Sequence, residues 1–223
     1  MAVLSRHLEF GKQTHTIAAP FATANPLSED GYWQNGLAVG LDWNNLRVVG
    51  GVCCGTQAGN TGPPYDDSLA FGSGNWGPDQ TVTATVSSTN PNTTAFCEVE
   101  LWVRGAVSAH SVTGYEINFR ATHDANQATN YIGIVRWNGA LNDFTQLGTN
   151  ASSPGIQTGD VIQVTIRGFT ITAAINGTVY TTQTDSARTF PTGNPGLGHW
   201  YRINGAVGTA VTDYGLTAWS ATD

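Results

Sequence analysis

The sequence predicts an all-β fold, a two-sheet antiparallel β-sandwich, on three observations. Apolar and polar residues alternate in short runs, turn residues separate those runs at roughly 8 to 12 positions, and no useful length shows helical periodicity. The 223 residues fit one large β-domain without a second core. Residues 1–20 alternate poorly and contain Pro20, so they are expected to form an extended N-terminal arm, with the sandwich domain spanning 21–223.

From Gln80 to Ser87 the chain alternates, turns at Asn90-Pro91-Asn92, and then runs Ala95 to Arg104 as AFCEVELWVR, the clearest strand of the sequence. Val99, Leu101 and Val103 share one parity there, and Glu98, Glu100, Trp102 and Arg104 the other. Tyr115 to Arg120 repeats the arrangement, with Tyr115, Ile117 and Phe119 opposed to Glu116, Asn118 and Arg120. Tyr131 to Trp137 follows and returns through Asn138-Gly139 to Phe144–Leu147. Asp160 to Arg167 and Phe169 to Ile175 are two further strands, and Asn176-Gly177 turns the second into Thr178–Thr182.

Composition narrows the partners. Nine basic residues, of which only Lys12 is lysine, stand against 16 acids for a net charge of −7. That balance repels phosphate backbones and anionic headgroups, which excludes nucleic acid and membrane surfaces as partners and leaves carbohydrate or other protein subunits, with a homo-oligomer or an assembly through the N-terminal arm as a further route to partners. No apolar run approaches the ~20 residues that cross a bilayer. The opening MAVLSRHLEFGKQTHTIAAPF breaks its apolar residues with charge, so no signal peptide is expected. The Lys-poor, Thr- and Asn-rich surface chemistry nonetheless suits an extracellular or virion-surface protein. Cys53, Cys54 and Cys97 fit neither an even disulfide framework nor a zinc spacing. Either one of the vicinal pair bonds Cys97 or all three are buried thiols.

The stretches PFATANPLSEDGYW, GYEINF, YIGIVRWNG, GDVIQVTIRGFTITAAINGTVYTTQTD, PTGNPGLGHWY and YGLTAWSATD, in that order, resemble the concanavalin A-like lectin and glucanase superfamily in its laminin-G-like and bacterial glycan-binding branches. The resemblance covers roughly residues 20 to 222. It implies a jelly roll of two curved sheets whose concave face or edge loops bind carbohydrate in many members and are silent scaffolds in others. Phe21 and Trp33 match the family's opening pattern and are expected in the core.

Glu98, Glu100, Trp102 and Arg104, with Glu116, Asn118 and Arg120 on a neighbouring strand, compose a polar sheet face that suits glycan binding. Carboxylates and an amide accept hydroxyl protons, guanidinium groups donate, and an indole offers a surface for a pyranose ring. The competing reading is a solvated face whose charges pair across strands. Arg136 could extend the surface, and Trp76, Trp137, Trp200 and Tyr201 adjoin turns where their rings are either exposed or tucked under loops. Asp66, Asp67 and Asp79 offer oxygen ligands for a structural calcium, although no cofactor is required. Catalysis is disfavoured. The glucanase signature Glu-x-Asp-x-Glu is incomplete, because Trp102 stands where a final Glu would follow Glu98 and Glu100, and the alginate lyase strand motifs are missing. The five histidines lack close ligand spacing. The leading expectation is a non-catalytic glycan-binding or adhesion domain; a structural virion subunit is second and a polysaccharide-degrading enzyme third.

Overall fold

The structure, a computed structural model, describes residues 12–17, 21–40, 42–57, 67–89, 96–120, 130–202 and 210–223. Within them two eight-stranded antiparallel sheets face each other, and the described residues contain no α-helix. Sheet one runs β14 (Thr178–Thr184), β13 (Thr170–Ile175), β12 (Val161–Arg167), β6 (Gln80–Ser88), β16 (Tyr214–Thr222), β4 (Val52–Cys54) and β3 (Arg47–Val49), and β1 (Thr14–Ile17) also pairs with β16. Sheet two runs β10 (Phe144–Gln146), β9 (Tyr131–Gly139), β8 (Ser111–Arg120), β7 (Phe96–Ser108), β15 (Asn194–Arg202), β5 (Ser68–Gly72) and β2 (Trp33–Asn35), with β11 (Ala151–Ser152) on β9. This is the jelly-roll sandwich of the concanavalin A-like fold. Thr14–Ile17, inside the segment expected as an arm, is extended along Trp219–Thr222.

Period-two alternation builds the core as the pleat requires. Val99, Leu101 and Val103 of β7, Tyr115, Ile117 and Phe119 of β8, and Ile132 and Ile134 of β9 point between the sheets. They meet Val82, Ala84 and Val86 of β6 and the isoleucines of β12 and β13. The Asn176-Gly177 turn joins Ile175 directly to its partner Thr178, with φ of 49° and 78° at its two central residues. Positive φ at both positions is the geometry that matches the twist of the flanking strands, which is why Asn and Gly stand there. Cys53, Cys54 and Cys97 are buried free thiols, which removes the disulfide alternative.

One parity expectation is overturned. Arg104 does not share the face of Trp102, because the β7–β8 register shifts between Val103 and Ala106 and Arg104 adopts φ 53° in the resulting bulge. Its guanidinium turns to the end of the sandwich, 2% exposed, where it donates to the carbonyls of Pro78 (2.6 Å), Phe190 (3.1 Å) and Gly168 (2.5 Å). Asp79 lies 3.6 Å from it and the Phe169 ring 5.0 Å away. Arg104 thus ties three loops together.

Replacing it leaves three carbonyls without their donor in a buried place. We therefore expect Arg104→Met to destabilise the fold by about 3 kcal/mol or more. Urea denaturation would show this as a lower midpoint at unchanged slope; an unaltered midpoint would remove Arg104 from the framework.

Candidate functional site

The outer face of sheet two, turned away from the core, is where the expected site residues meet. Antiparallel register places Glu98 opposite Arg120, Glu100 opposite Asn118 and Trp102 opposite Glu116 on β7 and β8. On the other side of β7, Gly198 of β15 stands opposite Glu100 and Trp200 opposite Glu98. On the far side of β8, Val135 of β9 stands opposite Glu116 and Gly133 opposite Asn118. Six of the seven residues expected to bind glycan therefore share this face, and Arg104 does not.

The face is dry rather than solvated. Glu98, Glu100 and Glu116 are 4%, 0% and 3% exposed, and Arg120 is also buried. The cause lies in a distant segment. Asn44 bridges Ser68 at the start of β5 and delivers Trp43 onto the sheet, where its ring meets Trp137 edge to face at 5.2 Å. Trp43, Leu69, Phe71, Trp102, Val112, Val135 and Trp137 close into a second apolar cluster on this outer face. Trp102 packs edge-on against Phe71 at 5.3 Å and is fully buried, so it offers no ring surface to a ligand, contrary to the stacking role its sequence position suggested. Burial of large rings outweighs the polar character of the neighbouring positions.

Glycines make room for the large side chains. A Cβ on Gly198 would lie 2.1 Å from Glu100 Oε2 and 2.9 Å from Trp102 Nε1, and one on Gly196 would strike the Phe71 ring. The Gly-rich PTGNPGLG segment is thus the strand over which the glutamate and the two rings are laid.

Beside this apolar cluster a pocket of about 310 Å³ stays open. Asp67, Glu98 and Glu116 supply carboxylates, Asn118, Gln146 and Asn150 amides, and Trp137, Phe144 and Trp200 rings. Trp200 and Trp137, flagged in the sequence, line it; Trp76 and Tyr201 belong to the main core. Tyr131, Gln146, Asn150 and Phe144 were missed. Only the β9–β10 hairpin and the segment leading into β11 bring them to the glutamates. Arg136 faces the opposite way, pairing at 2.9 Å with the buried Asp185, which also accepts from the Tyr115 hydroxyl. Of the acids considered for calcium, Asp66 lies outside the described residues, Asp79 is held at Arg104 and the Gly168 N–H, and Asp67 reaches the glutamates.

Burial governs the electrostatics. The Glu98 carboxyl is pushed up to about 7 by desolvation, opposed by hydrogen bonds from Tyr131 and Asn118 and by the Arg120 charge. Glu116 rises to about 8, again by desolvation and then by the charge of Glu98, although the Trp137 indole donates to it. Glu100 is raised well above the usual carboxylate range, by burial and then by the charges of Glu116, Asp67 and Glu98. Desolvation thus favours the protonated carboxyls toward neutrality, and the lining combines oxygen acceptors, amides and aromatic rings.

No family model and no curated protein matches the sequence. Among solved structures, the fold is similar to carbohydrate-binding module CBM66 from Bacillus subtilis, at 12% identity and TM-score 0.54 over 86% of this chain and 92% of that one. The VIP36 exoplasmic/lumenal domain in its Ca²⁺/Man-bound form aligns at 8% identity and TM-score 0.57 over 93% of this chain and 88% of that one. The CBM2 module of the evolved Dit of Lactobacillus casei BL23 phage J-1 aligns at 8% identity and TM-score 0.52 over 95% of both.

Two outcomes test the site's construction. Because Glu98 and Glu116 titrate above their ordinary 4.5, the folded state holds protons that the unfolded chain releases; their stabilising contribution is complete below about pH 4.5 and is lost as pH rises through about 7 to 8. Buried His199, pushed down to about 4, acts in the opposite sense only below about pH 6.5. Thermal melts in metal-free buffer should therefore show Tm falling from about pH 6.5 to 8.5, and Glu98→Gln should flatten that fall; a rising Tm over this range would contradict the burial. Gly198→Ala should also destabilise the fold by about 1–3 kcal/mol through overpacking, with much of the loss recovered when Glu100→Ala is added, as read from a double-mutant cycle.

Proposed function

We propose that the chain is a non-catalytic glycan-binding or adhesion domain that takes its ligand in the pocket on the outer face of sheet two. The observation that carries this reading is the joining of three carboxylates and three amides with the Trp137, Phe144 and Trp200 rings in one cavity of about 310 Å³. Saccharides combine apolar ring faces with rows of hydroxyls, and such a lining answers both. Similarity of fold to proteins named as a carbohydrate-binding module and a mannose-bound lumenal domain supports the same reading. The scarcity of lysine, the net charge of −7 and the fold shared with a phage Dit module accord with display outside the cell or on a particle. Non-catalytic binding fits the incomplete glucanase signature on β7.

A glycan array followed by calorimetry tests it. Binding to at least one neutral or uronic-acid glycan is expected, with Trp200→Ala costing about 2 kcal/mol, roughly thirtyfold in affinity, while the variant still melts cooperatively. Phe144→Ala, on a ring 37% exposed, removes pocket surface with little effect on packing and should weaken binding in the same direction. Absence of any glycan ligand would sink the reading, and release of reducing ends from a bound polysaccharide would replace it with catalysis.

A further inference from the structure

Beneath the pocket lies an arrangement of oxygens that hydrogen bonding inside the protein leaves incomplete. Asp67, Glu100 and Glu116, all buried, each bring one carboxylate oxygen within 4.8 Å of the others. They come from the lead-in to β5, from β7 and from β8, so the tertiary structure alone assembles them. Among the described residues no ion pair joins a basic side chain to Glu100 or Glu116: Arg104 and Arg136 leave this face for Asp79 and Asp185, and Arg120, the arginine on the face, stands opposite Glu98 and acts on its charge.

A second observation points to a ligand. Glu100 Oε2 lies over Gly198 and takes the Trp102 indole at 3.4 Å, but Glu100 Oε1, on a residue with no exposure, has no hydrogen-bond partner. Directly across the β7–β8 pair, Asn118 Oδ1 is shielded and also lacks a donor. Two neighbouring acceptors without donors, beside two further carboxylates, are a costly arrangement in a dry site. A cation held among the three carboxylates would give the free Glu100 oxygen a partner, lie on the face that Asn118 shares, and offset the mutual repulsion of the carboxylates.

The donor set indicates which cation. Carboxylate and amide oxygens without histidine or cysteine suit a hard ion, and three carboxylates with an amide, open on the pocket side to water or a hydroxyl, match the six to eight oxygens and flexible geometry of calcium better than the strict octahedron of magnesium. We propose that Asp67, Glu100, Glu116 and Asn118 form a calcium-class cation site at the floor of the pocket. Of the acids expected to accompany Asp67, Asp66 lies outside the described residues and Asp79 is held at Arg104 and the Gly168 N–H.

The test uses the full chain stripped with EDTA, in the absence of any glycan, and Tb³⁺ as the probe. Trp102 and Trp137, which donate to Glu100 and Glu116, should sensitise Tb³⁺ luminescence at one ion per chain, displaced by Ca²⁺ at lower concentration than by Mg²⁺. Ca²⁺ should also raise Tm as ligand linkage requires. Glu100→Gln should weaken Tb³⁺ binding by about tenfold or more, since charge count sets affinity in such sites, while raising Tm in EDTA. Asp67→Asn should reproduce the weakening should the first variant fold poorly, and Asp30→Asn, at an exposed acid, should not. Lack of sensitised emission, or emission and a Ca²⁺-induced Tm shift unchanged in both site variants, would overturn the proposal. Its failure is separable from that of the sugar reading, because a protein that binds glycan equally in EDTA and Ca²⁺ but takes up no Tb³⁺ refutes the cation site alone.

Discussion

The register that locks β7 between β8 and β15 is the constraint on which the remainder depends. With Leu101 opposite Ile117 on one side and Leu197 on the other, every odd residue from Val99 to Val103 enters the core and Glu98, Glu100 and Trp102 are forced to the far side. A slip by one residue would drive two glutamates between the sheets, so the burial of the aliphatic row fixes the pairing. The bulge at Arg104 ends this alternation and spends the arginine on three loop carbonyls.

The same strand is buried twice. Its inner face is covered by sheet one, and its outer face by Trp43 together with Phe71 and Trp137. Covering an outer face with rings stabilises the sheet by several kcal/mol, but it also withdraws water from the glutamates beside those rings. Their raised affinity for protons, the unpartnered Glu100 oxygen and the shape of the pocket are three consequences of one packing event. The buried carboxylates lower the stability of the region that holds them, the kind of local cost that a protein keeps where a site needs it.

The longer strands between Gln80 and Thr184 were legible because each alternates over at least five residues and is bounded by turn chemistry, and they differ from the expected ones by a few residues at their ends; the short β10 was placed through the preceding Asn-Gly turn, and the two-residue β11 was not read. The short strands β2 to β5 carry too few residues for a period to declare itself, and they were not read. The grouping of Glu98, Glu100, Trp102, Glu116, Asn118 and Arg120 followed from parity alone. Arg104 escaped because a bulge changes parity without a mark beyond the glycine at Gly105, and Asp79 was associated with Asp67 only through nearness in sequence.

By itself the sequence determined that this chain forms an alternating β-sandwich and which side chains share a face, since both follow from local pleat geometry. Tertiary structure alone decided that the polar face is dry, that Trp102 is packing rather than a platform, and that Asp67 joins Glu100 and Glu116. The reason is physical: alternation specifies to which side a residue points, whereas what covers that side depends on Trp43 and Asp67, whose approach is set by contacts between segments far apart in the chain.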